Sequence, residues 1–294
     1  MREDVSQNDF SIELFPPKGP KGAARLEDAL AELGALNPAF FSVTFGAGGT
    51  TRSGTLDTVK TAMRVTGRPA APHLSCIEGT QDSIGELLDN YKAAGVERIV
   101  ALRGDLPDGM DKPGVFNYAN ELVAFIKERH GDDFHLEVGA YPEFHPTAPS
   151  PEADIDNFIG KIRAGADSAI TQYFYNADAY FNFVDEVTAR GVDVPIVPGI
   201  MPITDFDQVS RFSAMCGADI PRWVRQKMEG YGDDKASVQA FGRELVYNLC
   251  EQLLAGGAPG LHFYALNKSQ PTATLWQDLK LPTGESDAAQ SGVS

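Results

Sequence analysis

The sequence has few cysteines, no excess of basic residues and no long apolar run, and each shortage excludes a class of protein. Its three cysteines, Cys76, Cys216 and Cys250, lack C-x-x-C spacing, which fits reduced structural thiols and gives no zinc signature. The net charge of −16 argues against nucleic acid as a partner, because binding phosphates requires clustered Lys and Arg. No run reaches the length of a membrane span, and the polar start lacks a signal-peptide core, so we expect a cytoplasmic protein.

A dinucleotide-binding glycine fingerprint is also missing. In a doubly wound open sheet the G-x-G-x-x-G turn follows the first strand, but here the first strand-like run ends in Pro16-Pro17. The Gly46-Ala47-Gly48-Gly49 stretch lacks the third-glycine spacing, so it is a weak candidate for a phosphate-binding loop and fits a tight turn better. The open sheet is therefore the less favoured fold.

Eight apolar, strand-like runs alternate with helix-like stretches along the chain. This rhythm predicts an α/β fold, a single-domain (β/α)8 TIM barrel. We expect the barrel over residues 10–280, after a flexible leader (1–9) and before a flexible tail (281–294). The runs are Phe10–Phe15, Phe40–Phe45, Ala70–Cys76, Ile99–Leu102, Leu136–Tyr141, Ser168–Phe174, Pro195–Ile200 and Leu261–Leu266.

The fourth run ends abruptly in opposite charges. Ile99–Leu102 leads directly into Arg103, Gly104 and Asp105, and Pro107 prevents simple continuation of the strand. Arg103 can fork onto a phosphate or carboxylate, and Asp105 offers two acceptor oxygens to an amide or ring N–H. Alone, this pattern fits a structural ion pair as well as a site.

Polar residues end seven of the eight runs, which favours a site. The C-terminal ends of barrel strands open on one face, where catalytic groups of this fold lie. These residues are Glu13, Thr44, His73, Arg103 with Asp105, Tyr141 with Glu143 and His145, Gln172, and Asn267 with Lys268.

Individual side chains suggest roles for this face. Glu13 lies between Ile12 and Leu14, and apolar flanks suit a carboxyl group to general-acid catalysis, although a paired structural Glu is the alternative. His73 and His145 lack the paired spacing of metal ligands, so we expect them to donate to a bound cofactor and we expect no metal. His262, inside a strand, fits a satisfied core histidine.

The mixture of groups suggests two ligands. Arg103, His73, His145 and Lys161 offer charge and donors for phosphates, and a second set, Gln172, Asp105 and Glu13, offers partners for a heterocycle. We expect a nucleotide cofactor and a ring-bearing substrate.

The strand ends and the residues that follow them form eight stretches of recognisable sequence. They are Ser11–Pro17, Ser42–Ala47, Ala71–Cys76, Val100–Pro107, Ala140–Pro146, Ala169–Phe174, Pro198–Pro202 and His262–Asn267. Together these stretches resemble the methylenetetrahydrofolate reductase family, flavin barrel enzymes of bacterial methionine synthesis. The resemblance runs in order from about Phe10 to Lys268.

The resemblance implies FAD bound in the barrel mouth, reduced by NADH or NADPH, which then leaves so that methylenetetrahydrofolate takes its place and becomes methyltetrahydrofolate. It also implies a homo-oligomer. The positions matching the flavin contacts of the family are Thr44, Phe45, Ala47, His73, Arg103, Gly104, Asp105, Tyr118, Ala119, Tyr141, His145, Asp154 and Lys161.

The resemblance also assigns catalytic and substrate-binding roles. Glu13 is implied to protonate the departing ring nitrogen of the folate, and the resulting iminium carbon to accept hydride from the reduced flavin. Asp105 is implied to hydrogen-bond the pterin beside the flavin. The remaining substrate-binding positions are Gln172 for the pterin amide edge, Gln208 and Phe212 for the shape of the site, and Lys268, which stands where many relatives carry the Arg that holds the glutamate tail.

Two alternatives stay open from the sequence. A metal-dependent barrel hydrolase built on His73, Glu143 and His145 would be colourless and sensitive to chelators. A barrel that binds flavin or folate without turnover is the other, and the presence of Glu13 argues against it.

Overall fold

In the part of the chain that the structure describes, nine short parallel strands pair side by side in the order β7-β6-β5-β4-β3-β2-β1-β9-β8. The computed structural model describes residues 10–45, 52–77, 79–104 and 114–283. The strands are β1 (Ser11–Leu14), β2 (Phe40–Val43), β3 (Ala70–Ser75), β4 (Arg98–Leu102), β5 (His135–Ala140), β6 (Ser168–Thr171), β7 (Ile196–Val197), β8 (Gly199–Ile200) and β9 (His262–Tyr264).

The predicted (β/α)8 barrel is confirmed, with one difference in the strand count. The run that the sequence predicts as a single seventh strand is divided at Pro198 into β7 and β8. β7 pairs with β6, and β8 pairs with β9. The two halves together occupy one of the eight positions around the barrel.

Ten helices of the described chain accompany the strands. They are α1 (Gly19–Gly34), α2 (Arg52–Thr66), α3 (Gln81–Ala93), α4 (Ala119–His130), α5 (Pro151–Arg163), α6 (Ala177–Ala189), α7 (Phe206–Cys216), α8 (Arg222–Gly230), α9 (Lys235–Ala255) and α10 (Ser269–Asp278). The apolar periodicity of α1 starts only at Leu26, although the helix begins at Gly19. The first turns are exposed and carry no apolar stripe, so the sequence pattern does not reveal them. None of the helices in the described residues is long and apolar enough to cross a bilayer.

Two prolines mark the places where a strand changes its neighbour. β3 pairs with β2 through Ala70–Pro72 and with β4 only from His73 onward. Pro198 lies in the same way between the residues that pair with β6 and those that pair with β9. A proline has no N–H to donate to a ladder, and both prolines are therefore accommodated where pairing switches sides.

Alternation along the strands divides the side chains between two apolar regions. In β1, Ile12 and Leu14 are buried in the large core between strands and helices, and Ser11 and Glu13 alternate with them. Inside the barrel a small apolar cluster is formed by Phe40, Ala71, Val100 and Ile170. This cluster fills the middle of the barrel, so the polar groups lie towards its two ends.

The N-terminal end of the barrel is closed by a buried ionic cluster. Glu137 on β5 is 2% exposed, pairs with Arg98 on β4, and accepts a 2.6 Å hydrogen bond from Ser168 on β6. Burial opposes ionisation of this carboxyl, but hydrogen bonding from His135 and the charge of Arg98 outweigh it and lower the pKa of Glu137 to about 2. This end of a barrel serves stability, and the cluster fits that role.

The cysteines and the C-terminal segment complete the fold. All three cysteines are free thiols, as predicted, and burial raises the pKa of Cys76 to about 12.

Residues after α10 pack back on it, since the Trp276 indole N–H donates to the carbonyl of Pro282. The leader at 1–9 lies outside the described residues, and the division into leader, barrel and tail stays a prediction.

Candidate active site

A cavity of about 690 Å³ opens at the C-terminal ends of the strands, where the sequence predicts the site. Its walls are largely apolar, including Val100, Leu102 and Ile170, with a few polar side chains among them. That combination is typical of a pocket for a cofactor or a small organic substrate. The predicted site residues that line it are Glu13, Thr44, His73, Tyr141, His145, Gln172 and Phe212.

Two imidazoles face the carboxyl group of Glu13. Its Oε2 lies 3.4 Å from Nε2 of His73 and 3.7 Å from Nε2 of His262. Burial lowers the pKa of His73, against the opposing effect of the Glu13 charge, so this imidazole is neutral at neutral pH. His73 Nε2 has no hydrogen-bond partner within the described ranges.

His262 lies fully buried beside this group. Its Nδ1 is 2.7 Å from the hydroxyl oxygen of Ser11, and the prediction of a satisfied core histidine is confirmed. Its second ring nitrogen faces Glu13, a contact that the sequence analysis did not anticipate.

The loop after β5 forms a second wall. Tyr141 and His145 meet edge to face with ring centroids 4.6 Å apart, and the His145 backbone N–H donates to Asp154 over 3.0 Å. Behind them the Lys161 ammonium donates to the carbonyl of Gly139. Burial lowers the pKa of Lys161 to about 8, although the charge of Asp154 opposes this shift. Asp154 and Lys161 therefore support this wall from the side of α5.

Arg103 and Gly104 lie at the end of β4, beside the cavity. The Arg103 guanidinium lies over the ring of Tyr118, 5.7 Å from its centroid, and donates to the carbonyl of Asn117. Tyr118 immediately precedes Ala119, the first residue of α4. Gly104 has φ +79°, and a Cβ there would lie 2.8 Å from Cγ1 of Ile77. Glycine is required at this position by both its backbone conformation and its surroundings. Asp105 and Ala47 lie outside the described residues.

The remaining predicted substrate contacts come from the ends of β6, α7 and α10. Gln172 follows β6, and its Oε1 accepts a hydrogen bond from the N–H of Tyr173. Gln208 is half-buried in the first turn of α7, one turn before Phe212. Lys268 is exposed at the start of α10, and Phe45 is half-buried beyond the end of β2.

Sequence reasoning missed several residues of the cavity wall. Tyr264 lies two residues after His262 on β9, and its hydroxyl donates to the Thr171 carbonyl over 2.7 Å; the period of two along a strand was the available signal. Gly199 permits this contact, because a Cβ there would lie 2.6 Å from Cε2 of Tyr264. Met215, three residues after Phe212, is detectable by the helical spacing of α7. Tyr173, Met201 and Cys216 belong to the same set.

The structure gives no support to a metal-dependent hydrolase. The Glu143 carboxylate accepts a hydrogen bond from the Asp219 backbone N–H. Within the ranges that the structure describes, no group of three or more His, Cys, Asp or Glu side chains is arranged to hold a metal ion. The hydrolase alternative is therefore not favoured.

The fold and the site define an enzyme of the TIM-barrel class with its cavity at the C-terminal ends of the strands. The family model for methylenetetrahydrofolate reductase matches residues 2–280. The chain is 37% identical to 5,10-methylenetetrahydrofolate reductase of Escherichia coli (strain K12) over 284 residues, which cover 97% of this chain and 95% of that one. It is 39% identical to the enzyme of the same name from Pectobacterium carotovorum subsp. carotovorum over 260 residues, 88% and 86% of the two chains.

The chain therefore belongs to the methylenetetrahydrofolate reductase family, as its motifs implied, and is an oxidoreductase. A solved structure with the same fold is that of a Clostridium thermocellum protein that binds two copies of 5-methyl-5,6,7,8-tetrahydrofolic acid. It superposes with a TM-score of 0.69 at 16% identity and covers 94% of this chain and 96% of that one. At that identity the likeness concerns the fold alone.

Proposed function

We propose that this enzyme uses bound FAD to reduce 5,10-methylenetetrahydrofolate to 5-methyltetrahydrofolate. NADH or NADPH is the electron donor, and the two substrates react in a ping-pong cycle. The observation that carries the proposal is that the carboxyl group of Glu13 and the amide of Gln172 share one cavity and lie between its apolar walls. A carboxyl can supply a proton, and an amide can pair with the edge of a pterin or a nicotinamide.

The cavity residues fit a flavin. His73 presents a buried ring nitrogen without a hydrogen-bond partner among the described side chains, and a group of this kind calls for a polar ligand atom. The apolar surfaces of Leu102 and Ile170 suit a planar ring system. The residues that would hold FAD are those matched by the resemblance: Thr44, Phe45, Ala47, His73, Arg103, Gly104, Asp105, Tyr118, Ala119, Tyr141, His145, Asp154 and Lys161.

Bound FAD would supply the hydride chemistry that protein side chains lack. Glu13 transfers its proton to the departing nitrogen of the five-membered folate ring, and the electron pair of the breaking C–N bond stays on that nitrogen. The methylene carbon is left as an iminium and becomes the hydride acceptor. NAD(P)H, the folate and one proton thus give NAD(P)+ and methyltetrahydrofolate.

The other residues of the site bind and orient the substrates. Gln172 pairs with the pterin amide edge, and Phe212 and Gln208 shape the space that the nicotinamide and the folate occupy in turn. Asp105 hydrogen-bonds the pterin, and Lys268 meets the glutamate tail from the rim. A cytoplasmic location, a role in methionine synthesis and a homo-oligomeric state complete the proposal and rest on the resemblance.

The deciding experiment is an absorption spectrum of the purified protein, followed by anaerobic additions. We expect a yellow protein whose visible flavin band bleaches with NADH or NADPH and returns when methylenetetrahydrofolate is added. A protein that is colourless and does not take up added FAD would contradict the proposal. A flavin band that bleaches but does not return with the folate would contradict the substrate assignment alone.

A further inference from the structure

We propose that Ser11 and His262 form a buried pair that positions the carboxyl group of Glu13 for proton transfer. This inference rests on the proposed role of Glu13 as the acid. His262 is not among the residues that line the cavity, so it acts through Glu13 and is a positioning residue.

The pair is built by the pairing of two strands. β1 and β9 are neighbours with Ser11 opposite His262 and Glu13 opposite Tyr264. The imidazole of His262 therefore lies between the hydroxyl below it and the carboxyl above it. The ring stacks against Phe40 and meets Tyr264 edge to face, with centroids 6.3 and 5.3 Å away, and these contacts hold its plane.

The surroundings select one tautomer of His262. Nε2 faces Oε2 of Glu13 at 3.7 Å and the Ser42 hydroxyl at 3.5 Å. The carbonyl oxygen of a protonated carboxyl accepts a hydrogen bond, as does either oxygen of a carboxylate, so the tautomer with its proton on Nε2 suits Glu13 before and after proton transfer. Nδ1 is then an acceptor, and the Ser11 hydroxyl at 2.7 Å donates to it. Ser11 thus satisfies the unprotonated Nδ1 and supports the tautomer whose Nε2–H points at Glu13.

Both imidazoles that face Glu13 approach the same oxygen. His73 and His262 lie 3.4 and 3.7 Å from Oε2, so Oε1 is the carboxyl oxygen farther from both rings. A small rotation of the Glu13 side chain brings Oε2 into hydrogen-bond range of the Nε2–H of His262. The carboxyl then keeps its proton on Oε1, and the donor on Oε2 stabilises the carboxylate that remains after the proton has left.

The charge state of the neighbours is compatible with an acid. The titratable groups that face His262 are Glu13 on β1, His73 on β3 and Tyr264 on its own strand. Burial lowers the pKa of His73, so it places no permanent positive charge beside Glu13 that would hold the carboxyl ionised. Burial also raises the pKa of Tyr264, whose hydroxyl stays a donor to Thr171.

The test compares the two half-reactions of the flavin-loaded enzyme. Ser11→Ala and His262→Gln should bind FAD and be reduced by NADH within about twofold of wild type, because that step needs no acid. Oxidation of the reduced enzyme by saturating methylenetetrahydrofolate should slow by about 10-fold in Ser11→Ala and about 10- to 100-fold in His262→Gln. Thr272→Val is the matched control, since Thr272 is fully buried on α10 with no side-chain partner in the described chain.

A pH profile and a spectrum separate positioning from a structural role. Both variants lose a donor that favours the ionised carboxylate. The rate of their folate half-reaction should therefore begin to fall at a higher pH than in wild type. ¹⁵N NMR of the holoenzyme, with His262 assigned from the signal lost in His262→Gln, should show the Nε2–H tautomer. This signal should shift in Ser11→Ala and not in Thr272→Val.

Three outcomes would overturn the inference. Unchanged rates of enzyme oxidation by the folate and an unchanged pH profile in both variants would show that Glu13 needs no such partner. A joint loss of FAD binding and both half-reactions would assign a structural role to the pair. An Nδ1–H tautomer in wild type would reverse the hydrogen bonds. If wild-type reduced enzyme is not oxidised by methylenetetrahydrofolate, the proposed function itself fails.

Discussion

Glu143 and Asp219 join two walls of the cavity, because the Glu143 carboxylate accepts a 2.7 Å hydrogen bond from the Asp219 backbone N–H. Glu143 belongs to the loop after β5, which carries Tyr141 and His145. Asp219 lies in the turn after α7, the helix that carries Phe212. The flavin side of the proposed site is thereby tied to its substrate side.

Breaking this contact should weaken substrate binding. Glu143→Ala removes the acceptor and should raise the KM for the folate by about 3- to 10-fold with little change in FAD affinity, since only part of the roughly 1.5 to 3 kcal/mol of a hydrogen bond to a charged group is transmitted from the wall to substrate binding. Glu143→Gln keeps an acceptor oxygen and should lie near wild type. Steady-state kinetics measure both, with the exposed Glu152→Ala as control; an unchanged KM in Glu143→Ala would show that the walls are independent.

Replacing the acid should separate the half-reactions. In Glu13→Gln we expect folate reduction to be abolished, because the amide has no proton to transfer at the ring nitrogen. Reduction of the flavin by NADH should stay largely intact in stopped-flow measurements. If the two rates fall together, Glu13 has a structural role.

Asp105 carries a prediction that comes from the sequence alone. Asp105→Asn should impair the folate half-reaction more than FAD binding, because the amide offers one acceptor oxygen where the carboxylate offers two. The rate of flavin reoxidation by the folate and a titration of the apoprotein with FAD measure the two effects. Folate kinetics equal to wild type would contradict the assigned role.

The ionic cluster at the opposite end of the barrel predicts a loss of stability in acid. The pKa of Glu137 is about 2 in the folded protein against an ordinary value of 4.5, so its contribution is fully present above pH 4.5 and is lost as the pH falls towards 2. Glu137→Gln leaves Arg98 partly unpaired and should reduce the free energy of unfolding at pH 7 by about 3 to 5 kcal/mol. Urea unfolding of wild type and variant at pH 7 and pH 3 tests this. If the difference between their free energies of unfolding is the same at both pH values, the ionised cluster is not its cause.

The rim of the cavity offers a gain-of-binding test. Lys268→Arg replaces a point charge with a planar fork that holds a carboxylate through two hydrogen bonds. We expect the KM for a polyglutamylated folate to fall by about 3- to 10-fold, and the KM for NADH to stay the same. Lys280→Arg, an equally exposed exchange, serves as the control, and equal KM values in both variants would place the tail elsewhere.

The sequence predicts the barrel and much of its mouth for a physical reason. Strand-like runs and the polar residues that end them are local features, so Glu13, His73 and Gln172 were identifiable before their contacts were known. The division of the seventh strand at Pro198 was harder to predict, because a proline near the end of a strand is compatible with several arrangements of the neighbouring strands. The side of the cavity formed by α7 was missed in part, since the placement of Met215 depends on how that helix packs.

The partners of Glu13 and Glu137 lie beyond local patterns altogether. His262 is 249 residues away from Glu13 along the chain and meets it only because β9 closes on β1. Arg98 reaches Glu137 across β4 and β5. Contacts of this kind follow from strand register, which a sequence pattern does not set uniquely.

Pro72 and Pro198 lie at the two places where the strand ladder passes from one neighbour to the next, and Glu13 and Gln172 lie on opposite sides of these places. Both places are bridged. β3 continues through the first, and at the second the Tyr264 hydroxyl and the Gly199 N–H donate to the carbonyl and the hydroxyl of Thr171. The barrel therefore acts as a closed frame that sets the separation between the proposed proton donor and the proposed pterin partner.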